Sequence, residues 1–264
     1  MDTPSPYTDC IRFMGTAGSR WVVSRQLRAS AGILLSLKGR RIYLDPGPGA
    51  LVRCAMASPP IDPATLDAIV VTHGHIDHCN DVNILIDGMT AGGYQKRGAL
   101  FAPHSCLEGD NPVVLHYLRT FLDTITPLEA ESRYTFEGVP FRTSAPHHHG
   151  VETHGVIFDV DGAECGFLVD SKYFDGLEAS YTGVDVLVVS VTFLEEPPHP
   201  TILHLCVDDV RRIVRNAAPG KVVLTHFGLS MLEEGPERVA ASLTDELGVE
   251  VIAATDGLVL PLGT

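Results

Sequence analysis

The chain has 264 residues, 45% of them hydrophobic, with 33 acidic against 19 basic side chains and a net charge of −14. That length and apolar content can bury a substantial core, and no Ser/Gly-rich linker or internal repeat divides the chain, so one domain over residues 1–264 is expected. The acidic total argues against a large basic footprint for duplex or transfer RNA, and apolar runs such as Asp185 to Val191 fall short of the roughly 20 residues a membrane span requires.

The elements follow in chain order. The start, MDTPSPYTDC, carries acids and prolines where a signal peptide needs a basic and then an apolar stretch, which leads to the expectation of a soluble, cytoplasmic protein. Ser30 to Leu37 and Arg41 to Asp45 read as a hairpin joined at Lys38-Gly39-Arg40, with the DPGPG that begins at Asp45 closing the second strand in a turn. Asp67 to Thr72 (DAIVVT) reads as a buried strand bounded by Pro63 and Gly74. Leu100 to Ala102, Val156 to Val160, Cys165 to Val169 and Val186 to Val191 continue the β content. Thr201 to Ala217 is expected as a helix, Lys221 to Thr225 as a strand and Pro236 to Leu247 as a helix; Glu250 to Ala254 and Leu258 to Leu260 close the chain as strands. With no Gly-rich phosphate loop after the first strand, the order argues against a nucleotide-binding Rossmann domain.

The chemistry concentrates in THGHIDHC, Thr72 to Cys79, where His73, His75, Asp77 and His78 offer ligands of the types that bind zinc and related transition metals. Further candidates lie downstream: His147, His148 and His149 in SAPHHHG, Asp170 in GFLVDS, and His226 in KVVLTHFG. His73, Asp170 and His226 each follow an apolar strand, and open α/β sheets collect ligands at the carboxyl ends of their strands. A strand-terminal Asp read alone could equally be a helix cap; three strand ends with the same character favour a shared site.

These residues, in this order, resemble the metallo-β-lactamase superfamily. The resemblance implies a mixed α/β (α+β) fold, a four-layer αββα sandwich, with a two-metal site at one edge of the sheets. It implies one metal on His73, His75 and the third histidine, another on Asp77, His78 and His226, and Asp170 bridging both. The spacing to Gly155 favours His149 as the third histidine, whereas counting from Phe141 favours His148; His149 is the expected ligand, with the other two histidines of the run supporting the site or facing solvent. The expected cofactors are two divalent ions, zinc foremost, with manganese or iron as other fits.

Within the superfamily, FMGTAGS, RASAGILL leading to YLDPGPG, and LTHFG look like the transfer-RNA 3′-processing branch, RNase Z, and its phosphodiesterase relatives. So does His204, 22 residues before His226 and just ahead of a helix, where that branch carries a proton-donating histidine. There are departures: Ser190 in VSVTF stands where the branch has a Glu, and no long basic arm is evident. A small-molecule or short phosphodiester is therefore the expected substrate, attacked by a metal-bound hydroxide with Asp77 as orienting base and His204 as general acid. His204 could instead be a structural neighbour of the helix start. Esters, lactones, thioesters and a one-iron sulfur dioxygenase reaction are the alternatives. Neither a membrane nor a large nucleic acid is an expected partner, and a homodimer is allowed.

Other conspicuous residues read as structural. The six cysteines form no Cys-x-x-Cys pair, and Cys79 beside His78 is expected to pack rather than ligate. Arg20, Arg25 and Arg28, Lys96 and Arg97, and Arg211, Arg212 and Arg215 read as solvated surface.

Overall fold

Two apolar destinations, one on each face, account for how the strands of this chain are built. A computed structural model describes residues 9–262, so most of the acid- and proline-bearing start lies outside the described residues. The first sheet uses β1 (Cys10–Phe13), β2 (Ile33–Leu37), β3 (Arg40–Leu44), β4 (Ala68–Val70), β5 (Ala99–Pro103) and β6 (Thr124–Leu128). The second uses β7 (Arg133–Phe136), β8 (Val139–Pro146), β9 (His154–Val160), β10 (Ala163–Leu168), β11 (Val186–Phe193), β12 (Leu205–Cys206), β13 (Lys221–Thr225) and β14 (Glu250–Ala253). The last strand, β15 (Val259–Pro261), returns to the first sheet. The orders are β15-β1-β2-β3-β4-β5-β6 and β14-β13-β11-β10-β9-β8-β7, with the short β12 pairing β11.

Alternate residues of one strand go to different layers. Leu35 and Leu37 of β2 and Ile42 and Leu44 of β3 meet Phe141, Val156, Phe158 and Phe167 of the other sheet in a shared core. Their neighbours Leu34 and Tyr43, with Ile69 and Leu100, pack outward on the helices Ala50–Met56 and Val82–Met89. On the far side Leu187, Val189, Val222 and Leu224 pack on the helices Val207–Ala217 and Pro236–Leu247. Three apolar interfaces between helix, sheet, sheet and helix make the expected αββα sandwich. None of the helices among the described residues is long and apolar enough to cross a membrane.

The β2–β3 turn holds Lys38 and Gly39 at φ 49° and 79°, the left-handed pair a two-residue hairpin needs, so β3 begins at Arg40 rather than Arg41. One larger correction concerns the expected helix from Thr201, which begins only at Val207. Leu205 and Cys206 are drawn into the sheet beside β11, and Asp209 caps the helix by accepting a 3.0 Å hydrogen bond from the Cys206 amide. That delay leaves residues 201–204 as loop. In the second sheet β10, β11 and β13 run parallel, so Asp170, Thr192 and His226 all emerge at one edge.

Candidate metal centre

β4 ends at Val70, and the chain then crosses the edge of the sandwich before a single helical turn, Ile76–Cys79, that starts at His75. The turn points His78 inward, 6% exposed, and leaves Ile76 outside at 74%. His73 is fully buried. The Nδ1 of His75 lies 2.9 Å from Nε2 of His149, and the His73 ring is centred 4.9 Å from each of those two rings. These three imidazoles form one focus. Asp77, His78 and His226 form a second, with the Nε2 atoms of His78 and His226 3.1 Å apart and the Asp77 carboxylate 3.6 Å from His226. Asp170 stands between the foci: its Oδ2 lies 3.4 Å from Nε2 of both His149 and His78, and its Oδ1 3.4 Å from His226 Nδ1.

His148 does not join them, which corrects its place among the candidate ligands. Along the extended segment 147–149 alternate residues point to opposite sides, so His147 and His149 turn inward and His148 outward. The His148 ring is exposed and stacks on Phe174 at 4.0 Å, while its carbonyl accepts the Lys172 amide. His147 is a buried strut, with Nδ1 3.2 Å from the Asp170 carbonyl and Nε2 3.0 Å from the Tyr181 hydroxyl.

Asp45 is a member of this cluster that the sequence reading passed over, because DPGPG reads simply as a turn. Its buried carboxylate accepts from the Thr72 amide at 2.7 Å and the Thr72 hydroxyl at 2.6 Å, and faces His78 Nδ1 at 3.0 Å. The Thr72 hydroxyl, its proton committed to Asp45, accepts from His73 Nδ1 at 3.1 Å. One carboxylate thereby faces Nδ1 of His78 directly and Nδ1 of His73 through Thr72, which favours a proton on both Nδ1 atoms and turns the Nε2 edges toward the cluster. His149 is set likewise, its Nδ1 donating to the Leu203 carbonyl at 2.8 Å. The sequence offers only an acid directly after an apolar strand; the structure holds it at φ 51°, a conformation that Asp and Asn tolerate better than other side chains.

The charges inside this shell are strongly biased. Burial, followed by repulsion from His78, holds the His73 pKa well below its usual value. Burial also opposes charge on His78, but Asp170 first and then Asp45 and Asp77 outweigh it and raise that pKa. Burial would raise Asp170 too, yet His226, His78 and His204 keep it well below the carboxylate range; His226 and His78 do the same for Asp77. His73 Nε2 and Asp170 Oδ1 are buried without a hydrogen-bond partner. Orphaned polar atoms cost about 1–3 kcal/mol each, and cations among these nitrogens and carboxylates would satisfy both. The donor set therefore fits divalent metal.

His204 closes the outer side. Its ring is stacked toward His226, Nδ1 lies 3.6 Å from Asp170 Oδ2 and 3.3 Å from the Thr192 hydroxyl, and burial pushes its pKa down to about 4. Ser190, the departure from the expected Glu, is buried beneath the second focus and lines the same small internal space as Asp77 and His226. Cys79 packs as expected, its thiol donating to the Gly74 carbonyl at 3.5 Å. The basic clusters sit on the surface, with Arg28 on Glu237, Arg97 on Asp67, and Arg211 and Arg215 on Glu246.

Known proteins share this architecture. An uncharacterized protein of Methanocaldococcus jannaschii is 26% identical over 257 residues, covering 96% of this chain and 94% of its own length. The crystal structure of the metallo-β-lactamase fold protein YhfI from Bacillus subtilis superposes with a TM-score of 0.80 at 18% identity, covering 96% of this chain and 99% of that one. A diphosphatase of the PhnP family gives 0.70 at 21% identity, with 97% and 98% covered. The family model of the beta-lactamase superfamily domain matches residues 40–227, and the chain belongs to that superfamily, with the metallo-β-lactamase fold.

Proposed function

We propose that this protein is a hydrolase that uses two divalent transition-metal ions to cleave a phosphodiester. One observation carries the reading: a buried carboxylate, Asp170, within 3.4 Å of ring nitrogens from both histidine foci. His73, His75 and His149 would hold one ion, Asp77, His78 and His226 the other, with Asp170 shared. Imidazole and carboxylate donors suit zinc first, and manganese or iron as well. A bound pair of such ions supplies a water acidified toward neutral pH and a clamp for both oxygens of an in-line displacement.

The protein's own groups do the rest. Asp77, kept ionised by His226 and His78, orients the attacking water and accepts its proton. His204 stands at the edge of the cluster to give a proton to the departing oxygen; an anionic diester beside it favours the charged imidazolium that burial opposes. The second focus of Asp77, His78 and His226 favours this reading over one-iron oxygen chemistry, which needs only the first. Similarity to a PhnP-family diphosphatase supports phosphorus over carbonyl substrates.

The test is turnover of bis(p-nitrophenyl) phosphate by the metal-loaded protein beside a panel of thioesters, lactones and carboxylic esters. Diester hydrolysis that chelation abolishes, and that His73→Ala loses together with its metal, is the expected result. Hydrolysis confined to the carbonyl panel overturns the phosphodiester assignment.

A further inference from the structure

A cleft of about 210 Å³ opens beside the cluster, between the turn that follows Asp170 and the loop ahead of the Val207–Ala217 helix. His204 belongs both to its wall and to the surroundings of Asp170. A group whose oxygen is protonated by His204 has this cleft beside it for its remaining atoms. Lys172 and Arg212 line it, and the Arg212 guanidinium lies over the Tyr173 ring at 5.4 Å, which holds the fork in plane while its N–H edges stay available. Two acids of the cleft are engaged elsewhere, Asp208 with Arg211 and Asp209 with the Cys206 amide and thiol. Asp209 keeps its charge, and Glu196, exposed on the same wall, is a counter-charge with no salt-bridge partner shown among the described residues. On a chain of net charge −14, Lys172 and Arg212 are the cationic groups that this cleft offers to an anion beside the centre.

We infer that this cleft is the leaving-group subsite and that the released alcohol carries a phosphate of its own. The inference rests on the phosphodiesterase reading above. Arg212 takes two oxygens of that distal phosphate through its fork and Lys172 supplies a point charge, while Pro197 and Ile202 cover the carbon skeleton between the two phosphorus atoms. In the reaction, the water oxygen bonds to the diester phosphorus and one water proton passes to Asp77. The P–O bond to the alcohol breaks with its electron pair, and that oxygen takes the proton of His204. The products are a phosphomonoester and a phosphate-bearing alcohol.

The experiment compares two diesters with the same methyl phosphate group, one leaving as glycerol and the other as glycerol 3-phosphate. The metal-loaded wild type should show at least a tenfold higher kcat/KM on the second. Arg212→Ala and Lys172→Ala should each bring that ratio down toward one, as loss of a charge-assisted hydrogen bond requires, Arg212→Lys should keep part of it, and Glu196→Gln should raise it. A ratio near one in wild type, or one that survives both alanine variants, overturns the subsite. Calorimetric binding of glycerol 3-phosphate, with glycerol as control, gives a readout independent of turnover. Affinity at least tenfold weaker in the Arg212→Ala/Lys172→Ala double variant supports the anion subsite even if neither diester is cleaved, an outcome that would overturn the phosphodiesterase reading alone. Equal affinity in both proteins overturns the subsite.

Discussion

Replacing Asp45 by Asn tests how the cluster is oriented without emptying it. The carboxylate meets three donors, the Thr72 amide, the Thr72 hydroxyl and His78 Nδ1, at 2.7, 2.6 and 3.0 Å. An amide of the same shape tolerates the φ of 51° but has one oxygen, so at least one of those donors must face an NH2 group. Losing one charge-assisted bond and burying two opposed donors should cost about 2–4 kcal/mol in the metal-free protein. It should also release the Nδ1 protons of His73 and His78 from their fixed positions, weakening metal binding about 10–100-fold. Urea unfolding of the metal-free protein measures the first effect, and competition with a chromogenic chelator measures the second. Wild-type metal affinity in a folded Asp45→Asn protein would refute the orienting role, whatever the stability change.

His148→Ala should retain full metal content, whereas His149→Ala should lose metal, as elemental analysis of both variants will show; the reverse pattern would reassign the third histidine. His204→Ala should keep its metals and slow an alkyl diester by about 10²–10⁴-fold but a p-nitrophenyl diester much less; equal slowing on both would indicate positioning instead. His147 is fully buried with its pKa pushed down to about 4, so its contribution is intact above the unfolded value near 6.5 and is lost as pH falls from there toward 4. The stability gap between metal-free wild type and His147→Gln should accordingly narrow by about 3 kcal/mol between pH 7 and pH 4, and a pH-independent gap would contradict the buried neutral ring. Gly155→Ala would place a Cβ 1.6 Å from the Tyr181 hydroxyl and should destabilise by about 1–3 kcal/mol in urea titrations, through overpacking of a buried group.

Much of the candidate site was readable because its residues obey local rules. A buried β-branched strand, a short turn and one helical turn suffice to converge His73, His75, Asp77 and His78, and the parallel strands β10 and β13 deliver Asp170 and His226 to the same edge. The spacing to Gly155 favoured His149 over His148 only narrowly, since the choice depends on which way the register shift between β8 and β9 rotates the segment 147–149. Asp45 was hidden for a related reason. Its partners are 27 and 33 residues away in sequence, and nothing local to DPGPG distinguishes an acid that caps a turn from one that holds two histidines. The helix from Thr201 failed because sheet pairing by Leu205 and Cys206 overrode a helical reading, and that pairing also forms the loop that carries His204 and walls the cleft.

The central claim is a pair of metals sharing Asp170. Anomalous diffraction at the absorption edge of the ion found in the reconstituted protein tests it most directly. The account predicts two peaks per chain, one among His73, His75 and His149, the other among Asp77, His78 and His226, with the Asp170 carboxylate between them. A single peak after full reconstitution, or peaks away from Asp170, would contradict it.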